Sequence, residues 1–94
     1  MTGQDEIIRK RVVVRGYVQG VFFRDSCRHE ATMAGVAGWV SNRRDGSVEA
    51  AFEGRLAAVE RMVSWMKLGP PRAVVEAIDV DDEPPSGERG FAIR

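Results

Sequence analysis

Residues 7–35, IIRKRVVVRGYVQGVFFRDSCRHEATMAG, contain the change of period that decides the fold. Ile7, Ile8, Val12, Val13 and Val14 are β-branched, so Ile7–Arg15 reads as a strand that ends at Gly16. A glycine-bounded loop, Gly16-Tyr17-Val18-Gln19-Gly20, follows. From Phe23 the period lengthens: Phe23, Cys27, Ala31 and Ala34 recur at spacings of four, four and three, one face of a helix over Phe23–Ala34. Gly35 stands where a left-handed cap would close it.

The rest of the chain follows the same grammar. Ala37–Asn42 and Ser47–Phe52 are strand-like runs around Arg43-Arg44-Asp45-Gly46, and Asp-Gly between such runs signals a hairpin. Leu56, Val59, Val63 and Met66 form a helical stripe within Leu56–Leu68, which Gly69-Pro70-Pro71 stops. Val74–Val80 alternates as a strand, and Gly90–Arg94 is a short final one after Pro84-Pro85-Ser86-Gly87. The order β-α-β-β-α-β-β is the split βαβ pattern, an α+β domain with two helices on one face of an antiparallel sheet. At 94 residues the chain is a single domain, large enough to bury a core without a disulfide or metal staple. Residues 1–6 read as a flexible tail, polar and acidic rather than signal-like.

Composition narrows the function. Fourteen basic side chains balance fourteen acidic ones, without the basic excess of a protein that neutralises many nucleic-acid phosphates. The aromatic stacking run of an RNA-binding sheet is also missing. No apolar run is long enough to span a bilayer. One cysteine, Cys27, excludes an intrachain disulfide and fits a reducing cytoplasm. Nothing points to a membrane or nucleic-acid partner, and the size and charge balance suggest a monomer. Basic residues cluster early, and the acidic run Glu76, Asp79, Asp81, Asp82 and Glu83 lies late. An anion site therefore belongs to the first half.

The loop into the first helix suits such a site. A loop that turns into a helix N-terminus aims several backbone N–H groups at one point, where the helix dipole also favours negative charge. Arg24, in the first turn, can give two charge-assisted hydrogen bonds to one phosphoryl group. The Gly-Lys-Ser/Thr ending of a nucleotide P-loop is absent. Asn42 stands at a strand end that a split βαβ sheet brings toward this loop, and its amide both donates and accepts.

Other candidates read as structural. Cys27 lacks the arginine six residues on that a cysteine phosphatase needs, since position 33 is Met33, so it reads as a core residue. His29 has no evident partner, Arg43 and Arg44 read as a solvated hairpin tip, Asp25 and Glu30 as exposed helix positions, and Trp39 and Trp65 as core.

Two segments together, Gly16-Tyr17-Val18-Gln19-Gly20-Val21-Phe22-Phe23-Arg24 and Gly38-Trp39-Val40-Ser41-Asn42-Arg43-Arg44-Asp45-Gly46-Ser47-Val48, closely resemble the two signatures of the acylphosphatase family. The resemblance covers nearly the whole chain. It implies a ferredoxin-like fold and hydrolysis of the carboxyl–phosphate bond of small acyl phosphates to carboxylate and inorganic phosphate. It implies that Arg24 binds phosphate, that Asn42 orients water, and that Gly16, Tyr17, Val18, Gln19, Gly20 and Val21 form the phosphate cradle. No cofactor or metal is implied, and no ligand cluster is read in the sequence. Many family members carry an aromatic residue after the final arginine, whereas this chain stops at Arg94. A binding module of the same fold, sensing a small anion, is the competing expectation.

Overall fold

β-Branched residues fill the middle of the first strand, and that strand lies near the centre of the sheet. The computed structural model describes residues 6–94. Its elements are β1 (Ile7–Tyr17), α1 (Phe23–Ala34), β2 (Ala37–Asn42), β3 (Val48–Arg55), α2 (Leu56–Leu68), β4 (Val74–Glu83) and β5 (Phe91–Ile93). They form one five-stranded sheet in the order β4-β1-β3-β2-β5. β3 pairs antiparallel with both β1 and β2, so β1 and β2 run the same way with β3 between them, as a split βαβ unit requires. β4 is antiparallel to β1. β5 is the exception to an all-antiparallel sheet: it lies parallel to β2, which makes the sheet mixed. The tail expected over residues 1–6 falls outside the described residues except for Glu6, whose carbonyl accepts from Leu56 N at 3.0 Å.

Alternation along the strands sorts two faces. Val12, Val14, Val40, Val48, Ala50 and Phe52 point to the helices and pack with Phe23, Cys27 and Ala31 of α1 and Val59, Met62 and Met66 of α2. The α2 stripe is rotated from the expected one: Met62 is buried, while Leu56 and Val63 are only half-buried. Gly35 closes α1 in a left-handed turn at φ 72°, with Val36 N donating to Ala31 O at 2.9 Å.

The other face is tiled with ion pairs. Arg9, buried, reaches Glu53 and Glu83, each at 3.3 Å, and Arg11 reaches Glu49 at 3.0 Å. Trp39 is buried here rather than in the hydrophobic core, beneath the guanidinium groups of Arg11 and Arg94, 5.1 and 4.7 Å from the ring centre. Burial alone would push the Glu53 carboxyl up. The N–H groups of Ser86, Gly87 and Glu88 and the Arg9 guanidinium outweigh that and hold it below the usual carboxylate range. Its stabilising contribution is therefore present above the unfolded-state value and lost as pH falls through the lower folded-state one.

Candidate active site

Topology gathers one end of the sheet. β1, β2 and β5 run in the same direction, so their carboxyl ends lie together. The loop after β1, the end of β2 and the end of β5 converge there. A cavity of about 340 Å³ opens at this point, lined by Val18, Gly20, Phe22, Phe23, Arg24, Asp25, Asn42 and Ile93.

The loop is pinned from beneath. The side chains of Val18 and Val21 are buried in the core, and among the described residues the N–H groups of Gln19, Gly20 and Val21 make no backbone hydrogen bond. Gly20 takes φ 74°, open to glycine at no steric cost. Phe22 takes φ 62° and ψ 27°, left-handed for a bulky residue, and the residue is 69% exposed where it lines the cavity. Such a conformation costs about 1–3 kcal/mol and persists only where surroundings impose it. Here Val21 on one side and Phe23, packed edge-on to Trp65 at 5.3 Å, on the other impose it. Phe22 caps α1 without a side-chain bond, and the first intrahelical bond runs from Ser26 N to Phe22 O at 3.1 Å. The N–H groups of Phe23, Arg24 and Asp25 thus have no partner within the helix.

Arg24 and Asn42, expected to converge, line the same cavity. Among the described residues, Arg9, Lys10, Arg11 and Arg15 are all paired with carboxylates, but Arg24 is in no ion pair. Asn42 ends β2 on the helix-facing side, in register with Val48. Its side chain is half-buried and makes no hydrogen bond among the described residues. Val18 and Gly20 line the cavity, and Val21 anchors the loop in the core. Gly16 and Tyr17 belong to β1, outside the cavity lining: Gly16 sits at a bulge with φ 128°, where an added Cβ would meet Val74 O at 2.3 Å, and Tyr17 pairs with Val74.

Gln19 faces away from the cavity. Its Nε2 donates to Arg43 O at 2.7 Å and to Ser47 O at 2.9 Å, latching the loop onto the hairpin that carries Asn42. Ser47 also donates from its backbone N–H, at 3.0 Å, and from its hydroxyl to Asp45, and these bonds hold the Asp45 carboxyl below its ordinary range. Gln19→Ala, which removes two bonds at once, is expected to lower stability by about 1–2 kcal/mol in urea unfolding.

Ile93 and Phe22 were not singled out by sequence. Alternation in the last strand places Ile93 on the helix face, but only the parallel pairing with β2 brings it to the cavity. No sequence signal marks a left-handed phenylalanine. Cys27 is fully buried, its sulfur 4.0 Å from that of Met66, and burial, reinforced by Glu30, pushes its thiol up and keeps it protonated. His29 is exposed and lines a separate groove with Trp65 and Pro70. Among the described residues no three His, Cys, Asp or Glu side chains are grouped to hold a metal ion, and no helix is long and apolar enough to cross a membrane.

Fold and site define the class: a small ferredoxin-like α+β domain with a helix N-terminus, an unpaired arginine and an unbonded amide around one cavity, a set that suits a tetrahedral oxyanion and a water beside it. The acylphosphatase family model matches residues 10–93. An acylphosphatase of Rubrobacter xylanophilus is 56% identical over 92% of this chain and 79% of its own length. One from Aeropyrum pernix is 55% identical over 97% and 92%. The solved acylphosphatase structure from Coxiella burnetii superposes with a TM-score of 0.90 at 33% identity, covering 94% of this chain and 93% of the other. The chain belongs to the acylphosphatase family and is an enzyme, a hydrolase.

Proposed function

We propose that this enzyme cleaves the carboxyl–phosphate bond of small acyl phosphates by direct attack of a water that Asn42 holds, on a phosphoryl group that Arg24 and the Gly16–Val21 loop bind. The observation that carries the reading is the meeting of Arg24 and Asn42 in one 340 Å³ cavity at the N-terminus of α1. The phosphoryl oxygens lie against the Arg24 guanidinium and the free N–H groups of the loop and first helical turn. Gln19 acts from behind by tying that loop to the hairpin, and Gly16 and Tyr17 by setting the angle at which the chain leaves β1.

The water oxygen forms a bond to phosphorus as the bond to the carboxyl oxygen breaks. One water proton passes to a phosphoryl oxygen, and the carboxylate leaves with the bonding pair. A carboxylate leaves readily without a general acid, and a loose phosphoryl-transfer transition state asks mainly for positioning and charge stabilisation. No step calls for a metal, a cofactor or a covalent intermediate. The single cysteine and balanced charge support a monomer of the reducing cytoplasm with no nucleic-acid or membrane partner.

Benzoyl phosphate tests the reading. The enzyme is expected to release inorganic phosphate from it, at a rate unchanged by a chelator, with inorganic phosphate inhibiting competitively. No release at high enzyme concentration would leave an anion-binding module instead.

A further inference from the structure

β5 is three residues long and forms the sheet edge, yet it supplies Ile93 to the wall of the cavity. Strands this short at an edge need help to stay in place. Its bonds to β2 are flanked by Gly38 N donating to Gly90 O and Arg94 N donating to Val40 O, both at 2.9 Å. On the helix side Phe91 stacks on Phe52 with ring centres 5.8 Å apart. On the opposite face the chain entering β5 is held chiefly by the carboxylate of Glu53, with Arg9 beside it on the Ser86 hydroxyl and Glu88. Glu53 accepts from Ser86 N at 2.8 Å, Gly87 N at 2.8 Å and Glu88 N at 3.0 Å, using both carboxylate oxygens. Arg9 backs this arrangement, at 3.3 Å from both Glu53 and the Ser86 hydroxyl.

We infer that Glu53 is a positioning residue for the acyl-binding side of the site: by gripping the 86–88 turn it sets where β5 runs and hence where Ile93 stands against the cavity. The inference rests on the hydrolytic reading of that cavity. Glu53 lies on the face of the sheet away from the helices and touches no part of the cavity lining. The phosphate side is built from the loop, Arg24 and Asn42, none of which hydrogen-bonds to β5. A displaced β5 therefore loosens the hold on the acyl group and leaves phosphate binding intact.

Three variants test this: Glu53→Gln, Ile93→Ala and the double. Glu53→Gln is expected to raise KM for benzoyl phosphate by about tenfold, the scale of a lost apolar contact, with kcat and inhibition by inorganic phosphate unchanged. The double variant is expected to be no worse than the worse single one, because both act through Ile93. Ser86→Pro removes two donors to Glu53, the backbone N–H and the hydroxyl, leaves the Arg9–Glu53 pair in place, and is expected to move KM in the same direction should Glu53→Gln not fold. KM and phosphate inhibition weakening together, or additive effects, would overturn the inference. A readout independent of turnover is amide hydrogen exchange in the glutamine variant. Gly38 and Arg94 are expected to exchange faster while the central amides of β1 do not, and unchanged exchange at both positions would equally overturn it.

Discussion

Arg24→Gln is expected to abolish inhibition by inorganic phosphate and to lower kcat/KM for acyl phosphates by about 10³-fold. The size follows from what is removed. A hydrogen bond to a charged group contributes about 1.5–3 kcal/mol, and a guanidinium can make two to one phosphoryl group. Together they exceed the dipole of α1, which contributes about 0.3–1 kcal/mol, up to about 2 where partly buried. Loop and helix alone therefore leave a weak anion site. Stability is expected to hold, since Arg24 is in no ion pair among the described residues and glutamine nearly matches arginine in helix propensity. An unchanged thermal midpoint beside lost phosphate binding separates the site from the fold. Arg24→Lys keeps the charge but not the planar fork, so it should recover part of the phosphate affinity and little of the rate. A glutamine variant with near-normal kcat/KM would remove Arg24 from the mechanism.

Much of this geometry was legible in the sequence where local chemistry and tertiary structure agree. Gly35 and the Gly69-Pro70-Pro71 stop mark where α1 and α2 end, and both helices run as read, Phe23–Ala34 and Leu56–Leu68. β2 ends at Asn42 as its pattern implies, and the Asp45-Gly46 turn follows. Strand ends went astray where distant partners override local preference. β1 passes through Gly16 to Tyr17, because a bulge between Arg15 and Gly16 absorbs the glycine instead of ending the strand. β4 continues past Val80 through Asp81, Asp82 and Glu83, residues that are poor strand formers alone. Opposite them stand Arg11, Lys10 and Arg9 of β1, with Lys10 Nζ 2.6 Å from Asp82. The late acidic run and the early basic run are thus two sides of one strand pair. The burial of Trp39 was legible; its covering by the guanidinium groups of Arg11 and Arg94, from distant parts of the chain, was not.

For the site, the two signatures brought out Arg24 and Asn42, and the parallel course of β1 and β2 explains why residues 18 positions apart share a cavity. Gln19 shows the limit of a motif. A side chain within a phosphate-loop signature reads as a ligand, but its amide is bonded to the carbonyls of Arg43 and Ser47. Only the fold of the hairpin could reveal that partner. Ile93 is hidden for a related reason, since the neighbour of an edge strand is not encoded in the strand itself.

Asn42→Ala is expected to stop turnover and spare binding: kcat falls by about 10²-fold or more, the scale set by a misplaced reactant, while KM and inhibition by phosphate stay within about twofold. The hairpin should tolerate the change. Its shape rests on Arg43 N donating to Ser47 O at 2.9 Å and on the Gln19 latch, neither of which uses the Asn42 side chain. That side chain makes no hydrogen bond among the described residues, so removing it orphans no protein partner. Asn42→Asp is the sharper companion. It keeps the shape and the acceptor, loses the donor, and sets a negative charge beside the phosphoryl oxygens, so both binding and turnover should fall. If the alanine variant instead lost phosphate inhibition along with kcat, Asn42 would be a phosphate ligand. If it hydrolysed acetyl phosphate at near-normal rate, the attacking water would have to be held elsewhere. Among the described residues, apart from Arg24 and Asn42 the one polar side chain in the cavity lining is Asp25, whose carboxylate would repel the phosphoryl group it faced. That leaves the amide of Asn42 as the neutral side chain able to hold the water through donor and acceptor at once.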